Sequence, residues 1–450
     1  MNIELSDDQN IAFKKFKNGE NLFITGPAGT GKSILIKYIK KFCMKNSLEI
    51  FITAMTGCAA LLIDGITLHS WAGICKGTED IDVLIKKIRR NKEIKSKWQN
   101  TNILIIDEIS MLSGNLLDKL NEIAKIIRRN TKPFGGIQII LVGDLFQLEP
   151  IYDESEEPKF CFQASCWKEC IDNIIELKKI MRQDNAIFQK CLNEIRVSEI
   201  SEDTKKILYE CSKKKIKNIN PHIIPTRLYS CNKDVGKINS EELLKLNNYI
   251  KEYSVESKIS INKTNNFNIE NEFVEIISNN LDKNSQYINK LELAIGAQVM
   301  LIKNIDTENG LVNGSRGIIV CFNMNNNPVV KFLNGIEKEI EPVPWQFDFN
   351  DRFKISKKQI PLKLAWAISI HKSQGCTLDF VEISIGSSIF AYGQAYVALS
   401  RVRNLEGLFI KSLKFKKIKA HPKVLEFYKN INNYKQKNKI SQYFIKTNIL

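Results

Sequence analysis

The sequence contains no Cys-x-x-Cys pair, and its eleven cysteines are an odd number in a chain of 450 residues. This pattern is not that of a disulfide framework in a secreted protein. The opening stretch MNIELSDDQN also lacks the basic and apolar regions of a signal peptide. We therefore expect an intracellular, reducing compartment: the nucleus, or the cytoplasm if the source is viral or bacterial.

Long apolar runs are missing too. No stretch approaches the roughly 20 apolar residues that a membrane helix needs, so a soluble protein is expected. Cys161, Cys166, Cys170 and Cys191 follow one another closely, but their spacing fits no common zinc or iron–sulfur pattern. Structural or incidental roles are expected for these four thiols.

Acidic residues are fewer than basic residues in this sequence. Lys and Arg number 66 against 50 Asp and Glu, which gives a net charge of +16 and a pI near 9.2. A polyanionic partner explains such an excess, because basic side chains that neutralise phosphates release counterions whatever the bound sequence is. An AT-rich genome, which inflates Lys, Asn and Ile, is the alternative explanation.

Short apolar runs alternate with helix-like segments from Asn21 to Pro150, and a second alternating region follows. Such alternation predicts α/β units with parallel, doubly wound sheets. We predict a first unit over 1–170 with a charged helical insertion at about 75–99, and a second over 171–230 and 361–420. The β-rich stretch over 231–360 is predicted to be an inserted antiparallel barrel, and 421–450 a basic tail.

The stretch GPAGTGKS is a complete phosphate-loop pattern between a predicted strand and a predicted helix. Glycines let backbone N–H groups surround phosphates, Lys32 reaches the terminal phosphates, and Ser33 offers a hydroxyl to magnesium. The predicted ATP-binding residues of this loop are Gly26, Pro27, Ala28, Gly29, Thr30, Gly31, Lys32 and Ser33.

Three further polar residues follow later apolar strands. Asp107 ends the strand in LIIDE, where a carboxylate can hold the magnesium water shell, and Glu108 beside it can orient the attacking water. Gln147 follows the next strand, where an amide can sense a γ-phosphate. The order of these residues after Lys32 predicts hydrolysis coupled to another event.

Two arginines are candidates for stabilising the charge of the transition state. Arg182 lies in IMRQ near the start of the second unit, and Arg401 lies in AYVALSRVRN near its end. For each arginine alone, a surface residue would be the favoured interpretation. Together they suggest a nucleotide held between two domains.

An ordered set of motifs now resembles one family. The chain is similar to superfamily 1 DNA helicases, specifically the Pif-type (petite integration frequency) helicases of the RecD-like branch, from about Leu5 to Leu408. The motifs are LSDDQ, GPAGTGKS, TAMTGCAA, TLHSWAGI, LIIDEISM, LVGDLFQLEP, IMRQ, AWAISIHKSQGCTLD and AYVALSRVRNLEGL.

This resemblance implies a magnesium-ATP motor with two RecA-like domains that moves 5′ to 3′ along single-stranded DNA and unwinds duplex or structured DNA in replication, repair or recombination. It implies that Gln9 reads adenine and that Gly375 lies at the nucleotide. It also implies a set of catalytic residues, which are Lys32, Glu108, Gln147, Arg182 and Arg401. Ser33 and Asp107 are implied to bind the magnesium ion. By the same resemblance, the 75–99 insertion is expected to be the wedge that separates the strands, and the β-rich insert is expected to be an SH3-like domain. We expect the protein to act as a monomer.

A motor of this kind must grip the DNA backbone without reading bases, through hydroxyls, amides, basic side chains and a few rings. Several motif residues suit that task. The predicted DNA-binding residues are Thr56, Gly57, His69, Ser70, Phe146, His371, Lys372, Ser373 and Gln374. Packing histidines would be the usual interpretation, but two of the four histidines fall within these motifs.

Three alternatives stay open from the sequence. A RecD-like or RNA-directed translocase would share the chemistry, and a nucleic-acid-stimulated ATPase could clamp or remodel without unwinding. In the tail, Lys437 to Phe444 (KNKISQYF) resembles a sliding-clamp docking peptide without its leading glutamine. An amphipathic helix packing on its own domain is the competing interpretation of that segment.

Overall fold

The computed structural model describes residues 4–75, 77–150, 152, 158–183, 185–215, 223–261, 278, 287–306, 308–349 and 353–431. Within these ranges the chain forms two parallel sheets flanked by helices, with an antiparallel insert in the second unit. The prediction of two α/β units is confirmed.

The first domain is built on six parallel strands in the order β3-β2-β4-β5-β1-β6. Apolar side chains cover both faces of this sheet, as the near-continuous apolar strands predict. Its elements are α1 (Asp7–Lys17), β1 (Leu22–Thr25), α2 (Lys32–Lys45), β2 (Ile50–Ala54), α3 (Gly57–Leu62), β3 (Ile66–Thr67), α4 (Leu68–Ala72), α5 (Ile81–Arg90), α6 (Lys92–Asn100), β4 (Ile103–Asp107), α7 (Gly114–Arg128), β5 (Gln138–Val142), α8 (Trp167–Cys170) and β6 (Asn173–Glu176).

Helices α5 and α6 form the predicted helical insertion. Leu84, Ile85 and Ile88 line the buried face of α5, whereas its basic residues are exposed. Trp98 of α6 packs on Trp71 of α4 with ring centroids 4.4 Å apart, and its indole N–H donates to the Ala72 carbonyl at 3.1 Å. The insertion is therefore anchored in the core of the first domain, with a basic outer surface.

The predicted boundary at residue 170 is wrong. Strand β6 pairs with β1 along its whole length, from Leu22 opposite Asn173 to Thr25 opposite Glu176. The apolar run of β6 therefore completes the first sheet. The chain crosses to the second domain between β6 and the helix that follows residue 185.

The rest of the chain contains the second domain and its insert. In chain order the elements are α9 (Ala186–Val197), α10 (Glu202–Lys213), β7 (Thr226–Tyr229), α11 (Asn232–Lys245), β8 (Lys251–Ser254), β9 (Glu256–Ile261), β10 (Lys290–Leu293), β11 (Gln298–Leu301), β12 (Arg316–Phe322), β13 (Pro328–Phe332), β14 (Glu337–Glu339), β15 (Val343–Phe349), β16 (Phe353–Gln359), β17 (Leu362–Leu364), β18 (Ala367–Ser369), β19 (Val381–Ile385), α12 (Gln394–Leu399), β20 (Leu408–Leu413) and α13 (422–431). The second sheet is parallel, in the order β18-β7-β19-β20.

The insert is antiparallel, as predicted, but its limits differ from 231–360. Helix α11 packs on β18 and β7 of the second sheet, so it belongs to the second domain. At the other end, β17 pairs with β11 of the insert in the five-stranded order β14-β13-β12-β11-β17. The insert therefore lies between α11 and β18.

The basic tail is described only as far as residue 431. Helix α13 packs back on the first domain, where Phe427 contacts Phe162 and Trp167 with centroids 4.4 and 6.0 Å apart. The predicted clamp-docking segment, Lys437 to Phe444, lies outside the described residues. None of the described helices is long and apolar enough to cross a membrane.

Candidate nucleotide site between the two domains

The phosphate loop joins the end of β1 to the start of α2. Gly26, Gly29 and Gly31 have φ values of +143°, +86° and +78°, a region that favours glycine. A Cβ on Gly26 would lie 2.3 Å from the Leu177 carbonyl oxygen, and one on Gly29 2.7 Å from the Cβ of Arg182. These contacts explain why the loop requires glycines, and its backbone fits a phosphate cradle.

Lys32 begins α2, and its ammonium lies inside the loop. Its Nζ donates to the carbonyls of Gly26 and Pro27 at 2.8 and 2.9 Å. Burial lowers the pKa of Lys32, while Asp144, Glu108 and Asp107 oppose that shift by their charge. A cation held among carboxylates at a phosphate loop matches the predicted role of Lys32.

Gln9 is positioned by the cap of α1. Ser6 and Gln9 form a capping box, in which the Ser6 N–H donates to the Gln9 Oε1 at 2.9 Å. The amide nitrogen of Gln9 then donates to the Gly31 carbonyl at 3.2 Å. The structure thus places Gln9 directly against the phosphate loop, as predicted for a residue of the nucleotide site.

Two acidic residues follow β4. Burial, and then the charge of Glu108, raises the pKa of Asp107 to about 7. Glu108 adopts a left-handed backbone conformation, with φ 54° and ψ 45°, and burial raises its pKa as well. Non-glycine residues in this region are uncommon and concentrate at functional sites.

Magnesium would suit this part of the site. It prefers oxygen ligands and is usually bound by one or two carboxylates together with substrate phosphates. The Asp107 carboxylate and the Ser33 hydroxyl supply such ligands beside the loop. No cluster of three or more His, Cys, Asp or Glu side chains that could hold a metal by itself occurs in the described ranges.

Gln147 follows β5 in the segment 143–148, which we call the sensor loop. Its side chain is buried, and its Oε1 accepts from the amide nitrogen of Gln374 at 3.3 Å. The same nitrogen of Gln374 lies 3.4 Å from the Glu108 Oε2. Gln374 belongs to the second domain, so one amide connects that domain to both the predicted base and the predicted sensor.

The two predicted arginines lie close to each other in the cleft. Burial, and then the charge of Arg401, lowers the pKa of Arg182 to about 10. Arg182 donates to the Ser400 carbonyl at 3.4 Å, and Arg401 donates within its own turn to the Val397 carbonyl at 2.8 Å. Within the described chain neither forms an ion pair with a carboxylate. The half-buried Arg182 and the buried Arg401, arranged in this way, favour an anionic ligand.

A buried acid that the sequence analysis missed lies in the sensor loop. Asp144 is fully buried and accepts from Arg196 of α9 at 2.9 Å and from the Tyr396 hydroxyl of α12 at 3.1 Å. The Tyr396 hydroxyl also accepts from the Ala28 N–H of the phosphate loop at 2.9 Å. The second domain therefore contacts both the sensor loop and the phosphate loop.

Comparisons with known proteins agree with this geometry. The sequence model described as PIF1-like helicase matches residues 4–207, and the one described as the 2B domain of DNA helicase Pif1 matches residues 277–322. The crystal structure of Pif1 helicase from Candida albicans is 39% identical, covers 95% of this chain, is itself covered completely, and superposes with a TM-score of 0.77. The chain belongs to the PIF1-like helicase family.

Two other relatives extend the comparison. The Xenopus laevis ATP-dependent DNA helicase PIF1 is 41% identical over 95% of this chain, and the alignment covers 64% of that protein. The chain thus spans less than two thirds of the length of this curated relative. Bacteroides Pif1 in complex with ADP-AlF3 and ssDNA is 29% identical, with 96% of this chain and 98% of that chain covered and a TM-score of 0.65.

Six residues predicted to contact DNA lie where such contacts can form. Thr56 and Gly57 follow β2, His69 and Ser70 lie on α4, and His371 and Lys372 follow β18; each is exposed or half-buried. Burial lowers the pKa of both His69 and His371, so these imidazoles are mainly neutral at pH 7 and can accept or donate a hydrogen bond. Their contact with DNA stays a prediction of the PIF1-like resemblance.

Three other residues predicted to contact DNA have buried side chains that pack or bond within the protein, and their contact with DNA also stays a prediction. Phe146 is buried and stacks on Tyr428 of α13, with centroids 4.7 Å apart, so its ring is not open to a base. Ser373 is fully buried and donates to the Ile370 carbonyl at 2.7 Å. Gln374 points at Glu108 and Gln147, which is the nucleotide side of the cleft.

Gly375 follows Gln374 in the same turn, and its place at the nucleotide stays a prediction. A Cβ there would lie 2.2 Å from Leu62 of α3, so the residue permits close approach of the two domains beside α3. Its neighbour Gln374 is the residue of this turn whose side chain reaches Glu108 and Gln147.

Replacing the buried ammonium tests the site most simply. Lys32→Ala should reduce ATP turnover by at least about 100-fold, because no other cation in the loop can reach the terminal phosphates. Binding of single-stranded DNA, measured by fluorescence anisotropy, should change little. Equal loss of both activities in a folded variant would contradict the assignment of the loop.

Proposed function

We propose that this chain is an ATP-dependent DNA helicase that moves 5′ to 3′ on single-stranded DNA and unwinds duplex or structured DNA. The observation that carries the proposal is the reach of Gln374 from the second domain to Glu108 and Gln147 in the first, at 3.4 and 3.3 Å. A site completed by two domains changes when either domain moves. ATP hydrolysis at such a site can therefore drive stepping.

The proposed chemistry assigns one task to each group. Gln9 orients the base, and the 26–33 backbone with Lys32 holds the phosphates. Ser33 and Asp107 would hold magnesium, which would supply positive charge to the phosphates. Glu108 accepts the proton of the attacking water, Gln147 senses the γ-phosphate, and Arg182 with Arg401 stabilises the charge that develops during transfer.

Proton acceptance by Glu108 requires that its carboxylate be ionised. Burial disfavours the ionised form, whereas Lys32 and Arg401 favour it by their charge. A bound magnesium ion would favour ionisation of the neighbouring Asp107 further. We therefore propose that Glu108 is ionised, and able to act as the base, only when Lys32 and Arg401 are both in place around it.

The DNA substrate and the polarity come from the family. The relatives are called ATP-dependent DNA helicases, and the Bacteroides protein binds ssDNA in its crystal structure. The net charge of +16 supports a polyanionic partner. We propose roles in replication, repair or recombination, a monomeric motor, and a reducing compartment within the cell or nucleus.

A forked-duplex assay tests the function. Duplexes that carry only a 5′ tail, only a 3′ tail or neither should be incubated with ATP and magnesium, and strand separation followed by quenched fluorescence. Unwinding is expected with the 5′ tail alone, and chelating magnesium with EDTA should abolish it. Unwinding only with the 3′ tail would contradict the polarity.

The same assay separates the alternatives. ATP turnover stimulated by single-stranded DNA without strand separation would favour a clamp or remodeller. Preference for an RNA-tailed strand would favour an RNA-directed translocase, since the 2′-hydroxyl distinguishes the two nucleic acids. The arginine pair and the sensor favour a motor over a static clamp.

We also propose that Lys437 to Phe444 docks on a sliding clamp. Ile440, Tyr443 and Phe444 have the spacing of one aliphatic and two aromatic side chains that enter a groove. A pull-down should show that the full chain binds the cognate clamp and that a chain truncated after Tyr434 binds it at least about tenfold less well, the loss of roughly one anchoring contact. Equal binding of the two chains would contradict this proposal.

A further inference from the structure

The charge network around Asp144 connects the two domains beside the nucleotide site. Arg196 approaches the Asp144 carboxylate with two nitrogens: Nε lies 3.1 and 3.0 Å from its two oxygens, and Nη2 lies 2.9 Å from one of them. Tyr396 donates its hydroxyl to the second oxygen at 3.1 Å. Among the described residues, both side chains that donate to this buried acid, Arg196 and Tyr396, belong to the second domain.

Such a contact restrains the backbone strongly. A buried carboxylate that loses its partner keeps an uncompensated charge, which is far more costly than the loss of an exposed pair. Paired hydrogen bonds from a planar guanidinium fix the orientation of the carboxylate as well as its distance from the guanidinium. Asp144 must therefore follow Arg196 when the second domain moves.

Movement of Asp144 would be transmitted to the predicted sensor. The Asp144 carbonyl accepts from the Gln147 N–H at 3.0 Å, and its carboxylate accepts from the Phe146 N–H at 3.2 Å. These bonds close the turn that carries Gln147. The sensor loop is thus too tightly bonded for Asp144 to shift while Gln147 stays in place.

Two aromatic side chains fix the orientation of the Arg196 guanidinium. Its guanidinium lies 4.5 Å from the centroid of Phe146 and 5.2 Å from that of Tyr428. The Tyr428 hydroxyl is hydrogen-bonded to Thr25 at the end of β1, immediately before the phosphate loop. The rings therefore fix the guanidinium between the sensor loop and the strand that leads to the nucleotide.

We propose that Arg196 and Tyr396 are positioning residues for ATP hydrolysis, which place Gln147 by holding Asp144 and so make the position of the sensor depend on the second domain. Neither residue has to touch the nucleotide for this role. The inference rests on the proposed function, because it requires that Gln147 contribute to hydrolysis.

The test is a double-mutant cycle on the full chain, with kcat for DNA-stimulated ATP hydrolysis as the readout. Arg196→Lys keeps the charge and removes the planar fork. It should lower kcat by about 3- to 30-fold, the range for residues that act through a coupled network. The Kd of a fluorescent ATP analogue should change by less than about twofold, since ground-state binding is not the contact removed.

The decisive result comes in the Gln147→Ala background. If Arg196 acts through Gln147, Arg196→Lys should lower kcat there by less than about twofold, because the two residues act as a unit. A full multiplicative loss would overturn the inference and indicate general structural damage. No effect of Gln147→Ala by itself would instead contradict the proposed function of the site.

A matched control and a milder variant complete the design. Arg227 of β7 pairs with Glu242 and Glu382 at 3.2 and 3.7 Å, all within the second domain. Arg227→Lys should leave kcat unchanged in both backgrounds.

If Arg196→Lys does not fold, Tyr396→Phe, which removes one hydroxyl, takes its place in the cycle. A reduced effect on kcat in the Gln147→Ala background supports the inference, and a full multiplicative effect overturns it.

Discussion

Buried charge in the cleft between the two sheets is the constraint on which the rest of the structure depends. Asp107 and Asp144 are buried after strands of the first sheet, with the half-buried Glu108 next to Asp107. Arg196 and Arg401 are buried in the second domain, and the half-buried Arg182 lies between β6 and α9. Neither set is stable alone in an apolar interior, because unpaired buried charge is costly. The Asp144–Arg196 pair balances part of this charge directly. In the proposed function, the phosphates of ATP would offset the arginines and magnesium would offset Asp107.

This balance explains the arrangement of the surrounding aromatic side chains. The buried rings of Phe146, Tyr396 and Tyr428 surround the Asp144–Arg196 pair. The Tyr396 hydroxyl bonds with Asp144 and Ala28, and the Tyr428 hydroxyl bonds with Thr25. In a dry environment each of these hydrogen bonds is stronger and more directional than in water. Helix α13 closes the cluster from the far side, so the last described helix of the chain supports the first strand.

The sequence predicted the site residues that lie together in one segment of the chain. It did not predict the residue pairs that come into contact only when the two domains pack. The phosphate loop and the acids after β4 could be predicted because glycine, lysine and carboxylates occur at fixed places along single strands. Asp144 and Arg196 are 52 residues apart and meet only through tertiary packing. One signal was available: Phe188, Leu192 and Arg196 form an i, i+4, i+8 stripe on α9, and an arginine on an apolar stripe needs a buried acid. The burial of Phe146 could not be predicted, because a motif gives a residue's type but not which side of the loop it faces. Strand β6 was assigned to the wrong domain because strand pairing is not visible in an apolar run.

The central claim is that the nucleotide state changes the relative position of the two domains. Spin labels carried on unnatural amino acids at Met44 of α2 and Tyr209 of α10, both exposed, would report this position without disturbing the native cysteines. The distance distribution should be measured by double electron–electron resonance with no nucleotide and with ADP–aluminium fluoride, magnesium and single-stranded DNA. We predict that the two distributions differ in their mean distance, whereas identical distributions in both states would contradict the account.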